Sequence, residues 1–275
     1  MERLYRCEEM TAWSVREVRA GQTIGLVPTM GFLHEGHLSL MRRLRPLVDR
    51  LVVSIYVNPL QFGAHEDLDT YPTDLEGDAA KCETNGVDAL FIPANLYPDG
   101  FSTSISVHRL TDGLCGAARP GHFEGVATVV TRLFGIVRCH KAIFGEKDFQ
   151  QLCVLRRMTK DLALGVEIYS GSIVREEDGL AMSSRNSYLS ASERNRALSL
   201  SGALRDIRRA YLEGETDARA LERLGKARLK VDKTDYLSIV EPDTLTAVDK
   251  VDAKCQVLVA AWVGNTRLID NMSFA

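Results

Sequence analysis

The sequence predicts an α/β protein built on a parallel sheet, with a smaller α+β unit toward its C-terminal end. Three observations carry that prediction. Strand-like and helix-like segments alternate over the first two-thirds of the chain, the pattern of strands joined by crossover helices. The run at 51–57 is apolar and rich in β-branched residues, as in a strand buried on both faces. After about residue 175 the order changes to two long helical stretches followed by strands.

In chain order, residues 24–28 read as a short apolar strand. Residues 37–48 read as a helix, with Leu40, Met41, Leu44, Leu47 and Val48 on one face. The strand at 51–57 follows, then a helix at 74–85 and a strand at 89–92. At 125–137, Val126, Val129, Val130, Leu133 and Val137 recur at helical spacing. A strand at 141–144, a helix at 149–162 and a strand at 166–170 complete the alternation. In such sheets the ligand sites lie at the carboxyl ends of the strands. Beyond it, a helix at 190–212 opens at Ser190 or Ser192 with Glu193 in its first turn. A second helix at 218–229 and strands at 236–240, 256–263 and 268–270 follow. The division is expected near 174–179, giving domains of 1–175 and 176–275.

The composition is that of a globular protein: 45% of the 275 residues are hydrophobic and 26% charged. A formal net charge of −3 argues against non-specific nucleic-acid binding, which needs a surplus of cations. No apolar run approaches the roughly 20 residues of a membrane span, and the N-terminus lacks a signal-peptide pattern. The six cysteines form no Cys-x-x-Cys pair. They read as reduced, packed thiols of a cytoplasmic protein.

Five segments carry the chemistry. The first is Pro-Thr-Met-Gly-Phe-Leu-His-Glu-Gly-His at 28–37. A strand ends, Gly31 turns the chain and a helix begins, so free N–H groups and the helix dipole favour an anion there. Gly36 leaves room for close approach, and neutral His34 and His37 can each donate to a phosphate oxygen. A tight turn with two surface histidines would look the same. The spacing is not the His-Glu-x-x-His of a zinc protease. The second, Asn-Pro-Leu-Gln-Phe at 58–62, sets Asn58 and Gln61 at a strand's carboxyl end. Their uncharged carboxamides suit hydroxyl and carboxylate groups; an Asx/Pro turn is the plain alternative. The acids from His65-Glu-Asp-Leu-Asp69 through Asp74 and Asp78 either touch a magnesium ion or form a solvated face and helix cap.

The third segment is Arg-Pro-Gly-His-Phe-Glu-Gly-Val at 119–126. Its Arg119, His122 and Phe123 either close over a ligand or pack the turn. The fourth, Phe-Gly-Glu-Lys-Asp-Phe-Gln-Gln-Leu at 144–152, sets Lys147 and Asp148 at a helix start. They can serve phosphate and ribose or simply cap the helix. Gln150 and Gln151 lie about 100° apart, so only one faces the core. The fifth, Asp-Gly-Leu-Ala-Met-Ser-Ser-Arg-Asn at 178–186, offers Ser183, Ser184 and Arg185 to a polyphosphate, or is a linker with ordinary serine caps.

Together with Leu-Val-Ala-Ala-Trp-Val-Gly at 258–264, these segments closely resemble the pantoate–β-alanine ligase family, part of the His-x-Gly-His nucleotidyltransferase superfamily. Leu60 departs from the family's usual Thr or Met. The resemblance implies a Rossmann-like parallel-sheet domain binding nucleotide and pantoate, and a C-terminal α+β domain acting as a cover. It implies that pantoate carboxylate attacks the α-phosphorus of ATP, giving pantoyl adenylate and pyrophosphate. The amine of β-alanine then takes the acyl group, giving pantothenate and AMP. By position, residues 30–37 would line the ATP site (Met30, His34, Gly36 and His37), with His37 as proton donor. Gly145, Lys147, Asp148, Val174, Met182, Ser183, Ser184 and Arg185 would complete it. His34, His37, Lys147 and Arg185 would carry the catalytic charge stabilisation. Gln61 and Gln151 would hold pantoate, with Asn58 nearby and Gln61 also near β-alanine. Magnesium is expected on the polyphosphate, with no protein ligand identified, and a homodimer is the usual assembly. Two alternatives stand beside this reading: a related nucleotidyltransferase acting on another acid, a phosphate ester or tRNA, and a non-catalytic nucleotide-binding protein.

Overall fold

The computed structural model describes residues 1–63 and 66–275; His65, in the acidic stretch, lies outside them. The chain divides into two compact units. One comprises Met1–His108, Arg119–Glu146 and Val154–Ser172; the other comprises Arg109–Ala118, Lys147–Cys153 and Ile173–Ala275.

From the N-terminus, β1 (Glu2–Leu4) leads into α1 (Cys7–Arg19), and β2 (Ile24–Thr29) into α2 (Glu35–Leu44). β3 (Arg50–Ile55) is followed by a 3-10 turn at Pro59–Gln61, α3 (Leu75–Thr84) and β4 (Ala89–Phe91). Then come α4 (Leu114–Ala118), α5 (His122–Val137), β5 (Lys141–Gly145), α6 (Phe149–Asp161) and β6 (Glu167–Gly171). The remainder holds α7 (Ala191–Leu212), α8 (Ala218–Arg228), β7 (Lys233–Val240), β8 (Gln256–Val263) and β9 (Thr266–Ser273).

In the first unit six strands form one parallel sheet in the order β1-β4-β3-β2-β5-β6. Val27, Leu51, Val53, Leu90 and Ile143 pack with Leu40, Met41 and Leu44 of α2 and with Ala79 and Cys82 of α3. Successive strand residues face opposite ways, which leaves Ile24 and Leu26, both fully buried, for the other face. α1 and α5 pack on each other and on β2. The predicted helix at 37–48 is broken. α2 stops at Leu44 and a 3-10 turn takes Arg45–Leu47. Pro46 has no N–H and its ring collides with the preceding turn, so Leu47 ends 39% exposed rather than on the buried face.

The first strand and helix, β1 and α1, carry no clear periodic signal in the sequence. β1 is three residues long. The buried face of α1 mixes Met10 and Trp13 with Ser14 and Glu17, so no apolar stripe appears. Glu17 is tolerated there because Arg50 Nε donates to it at 2.7 Å and Arg16 Nε at 2.9 Å.

The second unit carries an antiparallel sheet, β7-β8-β9. Leu200, Leu204 and Ile207 of α7 and Leu221 of α8 pack with Val257, Val259 and Leu237 of that sheet. Ser190 caps α7 as expected, its backbone N–H donating to Glu193 Oε2 at 2.9 Å. β9 extends well beyond the predicted 268–270. It pairs with β8 from Val263↔Thr266 to Gln256↔Ser273, with polar Arg267, Asn271 and Ser273 blurring the alternation.

Candidate active site

β2 and β3 pair in register to their ends, Pro28 opposite Ser54 and Thr29 opposite Ile55. The two loops that follow therefore leave the sheet side by side at its carboxyl edge. The first carries Met30 to His37, the second Asn58 to Gln61.

In the first loop the chain turns through Gly31 and Phe32, at φ +84° and +49°. A residue other than glycine rarely takes a positive φ, and something holds Phe32 there. That something is Asp78 of α3, 1% exposed, whose carboxylate accepts from Phe32 N–H and Leu33 N–H, both at 2.7 Å. Lys81 Nζ donates to Leu33 carbonyl at 2.8 Å from the same helix. Burial pushes the Asp78 carboxyl above its usual pKa, against the two N–H donors and Lys81. Asp78 was legible in sequence only as a magnesium contact or a solvated acid; it is a buried clamp on the histidine loop. Asp74 is the cap of α3, accepting from Gly77 N–H at 3.1 Å.

His34 is the N-cap of α2. Its Nδ1 accepts from Gly36 N–H at 3.2 Å, and His37 Nδ1 accepts from His34 N–H at 3.3 Å. The rings lie 4.2 Å apart. With both Nδ1 atoms accepting, a neutral ring at either position carries its proton on Nε2, and the positive end of the helix dipole favours the uncharged form. Free backbone N–H groups were expected to bind an anion here. Instead, Gly31 N–H donates to Thr29 Oγ1, Phe32 and Leu33 to Asp78, His34 and Gly36 to the imidazoles, and His37 and Leu38 to His34 carbonyl. At the same helix start the imidazole Nε2 atoms can add donor capacity toward an anion.

Gln61 is held at both ends. Its carbonyl accepts from His122 Nδ1–H at 2.8 Å, which makes His122 Nε2 the acceptor for Arg119 at 3.0 Å. Arg119 Nε donates to Glu66 at 2.6 Å. Burial raises the Glu66 carboxyl, but Arg119's hydrogen bond and charge outweigh it and hold the group below its ordinary range. Arg119 and His122 thus pack the turn that carries Gln61. At the other end, Gln61 Oε1 accepts from Asn58 Nδ2 at 3.1 Å, and Gln61 Nε2 donates to Met30 Sδ at 3.1 Å. Asn58 itself is 1% exposed and sits directly behind Gln61. Gly145 closes β5 in the same unit.

The other candidates belong to the second unit. Lys147 Nζ lies 3.9 Å from Asp148, and Lys147 carbonyl accepts from Asn271 Nδ2 at 2.9 Å. Gln150 is the buried member of the glutamine pair, 3% exposed. It donates to the carbonyls of Leu110 and Gly113 and accepts from Cys115 N–H; Gln151 is half-buried. Residues 174–182 form a small hairpin. Arg175 bridges Ala181, and Met182 N–H donates to Val174 carbonyl at 2.9 Å. Val174 and Met182, eight positions apart, are neighbours. Ser183 accepts from Arg185 N–H at 3.3 Å, and Ser184 is buried.

The sequence profile of the pantoate–β-alanine ligases matches residues 3–273. The pantothenate synthetase of Heliobacterium modesticaldum is 54% identical over 269 residues, covering 96% of each chain, and that of Thermotoga petrophila is 53% identical with the same coverage. The crystal structure of pantothenate synthetase from Thermus thermophilus superposes with a TM-score of 0.95 at 45% identity, over all of this chain and 99% of that one. The chain belongs to the pantoate–β-alanine ligase family. One further structure, the pantoate–β-alanine ligase of Francisella tularensis complexed with β-γ ATP and β-alanine, superposes at 0.83 with 30% identity, over 100% of this chain and 98% of that one.

Membership of this ligase family agrees with the α/β architecture. The sequence did not reveal the supporting roles of Asp78 and of Tyr97, whose hydroxyl donates to Asn58 Oδ1 at 2.7 Å. A buried acid and a tyrosine after a strand carry no spacing signal of their own. Among the described residues, no three His, Cys, Asp or Glu side chains gather to hold a metal. No described helix is long and apolar enough to cross a membrane. Burial pushes the Cys82 and Cys139 thiols up to about 12, so both are inert packing groups.

Proposed function

We propose that the chain condenses (R)-pantoate with β-alanine at the expense of ATP. In the first step a pantoate carboxylate oxygen bonds to the α-phosphorus of ATP. The bond to the β-phosphate bridging oxygen breaks, giving pantoyl adenylate and pyrophosphate. In the second, the amine nitrogen of β-alanine bonds to the acyl carbon. AMP leaves with the electron pair of the acyl–oxygen bond, the nitrogen loses a proton, and pantothenate results. Both nucleophiles come from the substrates, so the protein's work is alignment and charge stabilisation.

The observation that carries this reading is the imidazole pair at the start of α2, both Nδ1 atoms tied to backbone N–H groups. Charge gathers on the phosphate oxygens as pyrophosphate leaves, and Nε2–H donors from this pair would stabilise it. His37 is the proposed proton donor and His34 its partner, with Met30 and Gly36 lining the nucleotide. Gly145, Lys147, Asp148, Val174, Met182, Ser183, Ser184 and Arg185 are proposed nucleotide-binding residues from the motif match, Lys147 and Arg185 as cations in the reaction. Gln61 and Gln151 are proposed to hold pantoate, Gln61 also facing β-alanine. Magnesium is proposed as a companion of the triphosphate. The Francisella relative's complex with a β-γ ATP compound and β-alanine supports two of these substrates.

We also propose a homodimer, from the family resemblance, and a cytoplasmic setting, supported by six free thiols. The division of labour between 1–175 and 176–275 is proposed on chemistry alone, since an acyl adenylate has to be kept from water.

ATP–pyrophosphate exchange dependent on (R)-pantoate, with AMP released on adding β-alanine, tests the reading. Exchange with a different acid or a phosphate ester, and none with pantoate, would favour the related nucleotidyltransferase; no exchange with any acid would favour a non-catalytic binder. His37→Ala should slow single-turnover adenylate formation by on the order of a hundredfold while pantoate affinity changes little. Wild-type adenylation in that variant removes His37 from its role.

A further inference from the structure

Asn58 is a buried carboxamide with its hydrogen-bonding capacity filled. Nδ2 donates to Gln61 Oε1 at 3.1 Å and to Gly125 carbonyl at 3.2 Å. Oδ1 accepts from Tyr97 hydroxyl at 2.7 Å and, more weakly, from Leu60 N–H at 3.4 Å. An asparagine amide is nearly symmetric in shape, so packing alone does not choose between its two orientations. The neighbours choose. Gly125 carbonyl requires the nitrogen on its side, and a donor hydroxyl requires the oxygen on the other.

Tyr97 is built to supply that donor. Its ring is held by Phe101 at 4.9 Å and Tyr56 at 6.2 Å. Its backbone is pinned by Asn95, which accepts from Tyr97 N–H at 2.9 Å and donates to Tyr97 carbonyl at 2.7 Å. Burial raises the phenol's pKa well above its usual value, so the hydroxyl keeps its proton.

Resting on the pantoate-binding role proposed for Gln61, we propose that Tyr97 is a positioning residue of the ligase: its hydroxyl fixes the orientation of Asn58, and Asn58 in turn fixes which way the Gln61 carboxamide faces its ligand. Tyr97 acts through Asn58.

Tyr97→Phe removes the hydroxyl and keeps the ring. In the full-length protein, pantoate-dependent exchange should show a KM for pantoate raised about tenfold, as for loss of one well-made hydrogen bond. The KM for ATP and kcat should stay within about twofold. In an Asn58→Ala background the same change should have no further effect on pantoate KM, because the link it acts through is gone. An unchanged pantoate KM in Tyr97→Phe overturns the proposal, as does a tenfold effect that persists without Asn58. So does a loss shared equally by ATP and pantoate, the mark of a merely structural change. If the wild-type protein shows no pantoate-dependent exchange, the functional reading fails and this inference with it; where the wild type does exchange, an unchanged Tyr97→Phe counts against the role of Tyr97 alone.

Discussion

Asp78 shows how a buried side chain sets the geometry of the loop that carries the candidate histidines. Its two oxygens meet two N–H groups of the histidine loop at 2.7 Å each. Asp78→Asn keeps the shape but turns one acceptor into a donor facing a donor. We expect a loss of about 1–3 kcal/mol in stability, read from urea unfolding, and slower pantoate-dependent exchange. Wild-type values for both would show that the loop holds its turn unaided. The motif His-Glu-Gly-His was legible from strand–turn–helix context, the context on which its proposed phosphate role rests. Which ring nitrogen carries the proton was not, because that depends on where Gly36 N–H and His34 N–H point. The same limit hid the fate of the backbone donors: a sequence shows a helix start, not that its own cap has already engaged the N–H groups. Asn58 and Gln61 stood out as a pair, but only the fold shows one behind the other.

At the scale of elements, α5 and the 3-10 turn at Pro59–Gln61 depend on a missing side chain. A Cβ on Gly125 would lie 2.2 Å from Leu60 carbonyl oxygen and 2.6 Å from Gln61 nitrogen. Backbone does not yield as a flexible side chain does. Gly125→Ala should therefore cost at least about 2 kcal/mol and raise the pantoate KM as the turn shifts. Gly135 on the same helix meets nothing within 4 Å, so Gly135→Ala should add about 0.5–1 kcal/mol of stability. Equal effects at the two positions, in paired urea titrations, would contradict the close approach. The helices with clean apolar stripes were readable, α5 above all through its valines. α1 was not, since a buried Glu17 paired with a partly exposed Arg50 looks like surface charge in sequence. The end of α2 was signalled by Pro46, and weighting the apolar face over the proline gave a helix one turn too long.

At the scale of the whole molecule, each unit holds a carboxylate–guanidinium pair sheltered from water. Glu66 and Arg119 are 21% and 15% exposed in the first; Asp235 and Arg267 are 8% and 12% exposed in the second. Burial raises Asp235, but Arg267's hydrogen bond and charge, with Lys233 and Trp262, more than reverse this and hold it below the ordinary carboxylate range. A depressed folded pKa adds stability above the unfolded value near 4 and loses it as pH falls through the lower folded value. Asp235→Asn should therefore cost about 3 kcal/mol at pH 7, with the deficit shrinking below about pH 4. A deficit that is the same at pH 7 and pH 3 would rule out ionic pairing as its source. The alternation of strands and helices made the parallel sheet legible. What it did not show is that 109–118 and 147–153 fold with the C-terminal residues, because tertiary partners leave no local pattern. That discontinuity shapes how the protein is made. Cys115 meets Tyr236, 121 positions later. At roughly 5–20 residues per second of synthesis, the segment emerges from the ribosome on the order of ten seconds before its partner. During that interval a nascent chain carries an unfinished surface in its middle, and that is where a chaperone would find something to hold.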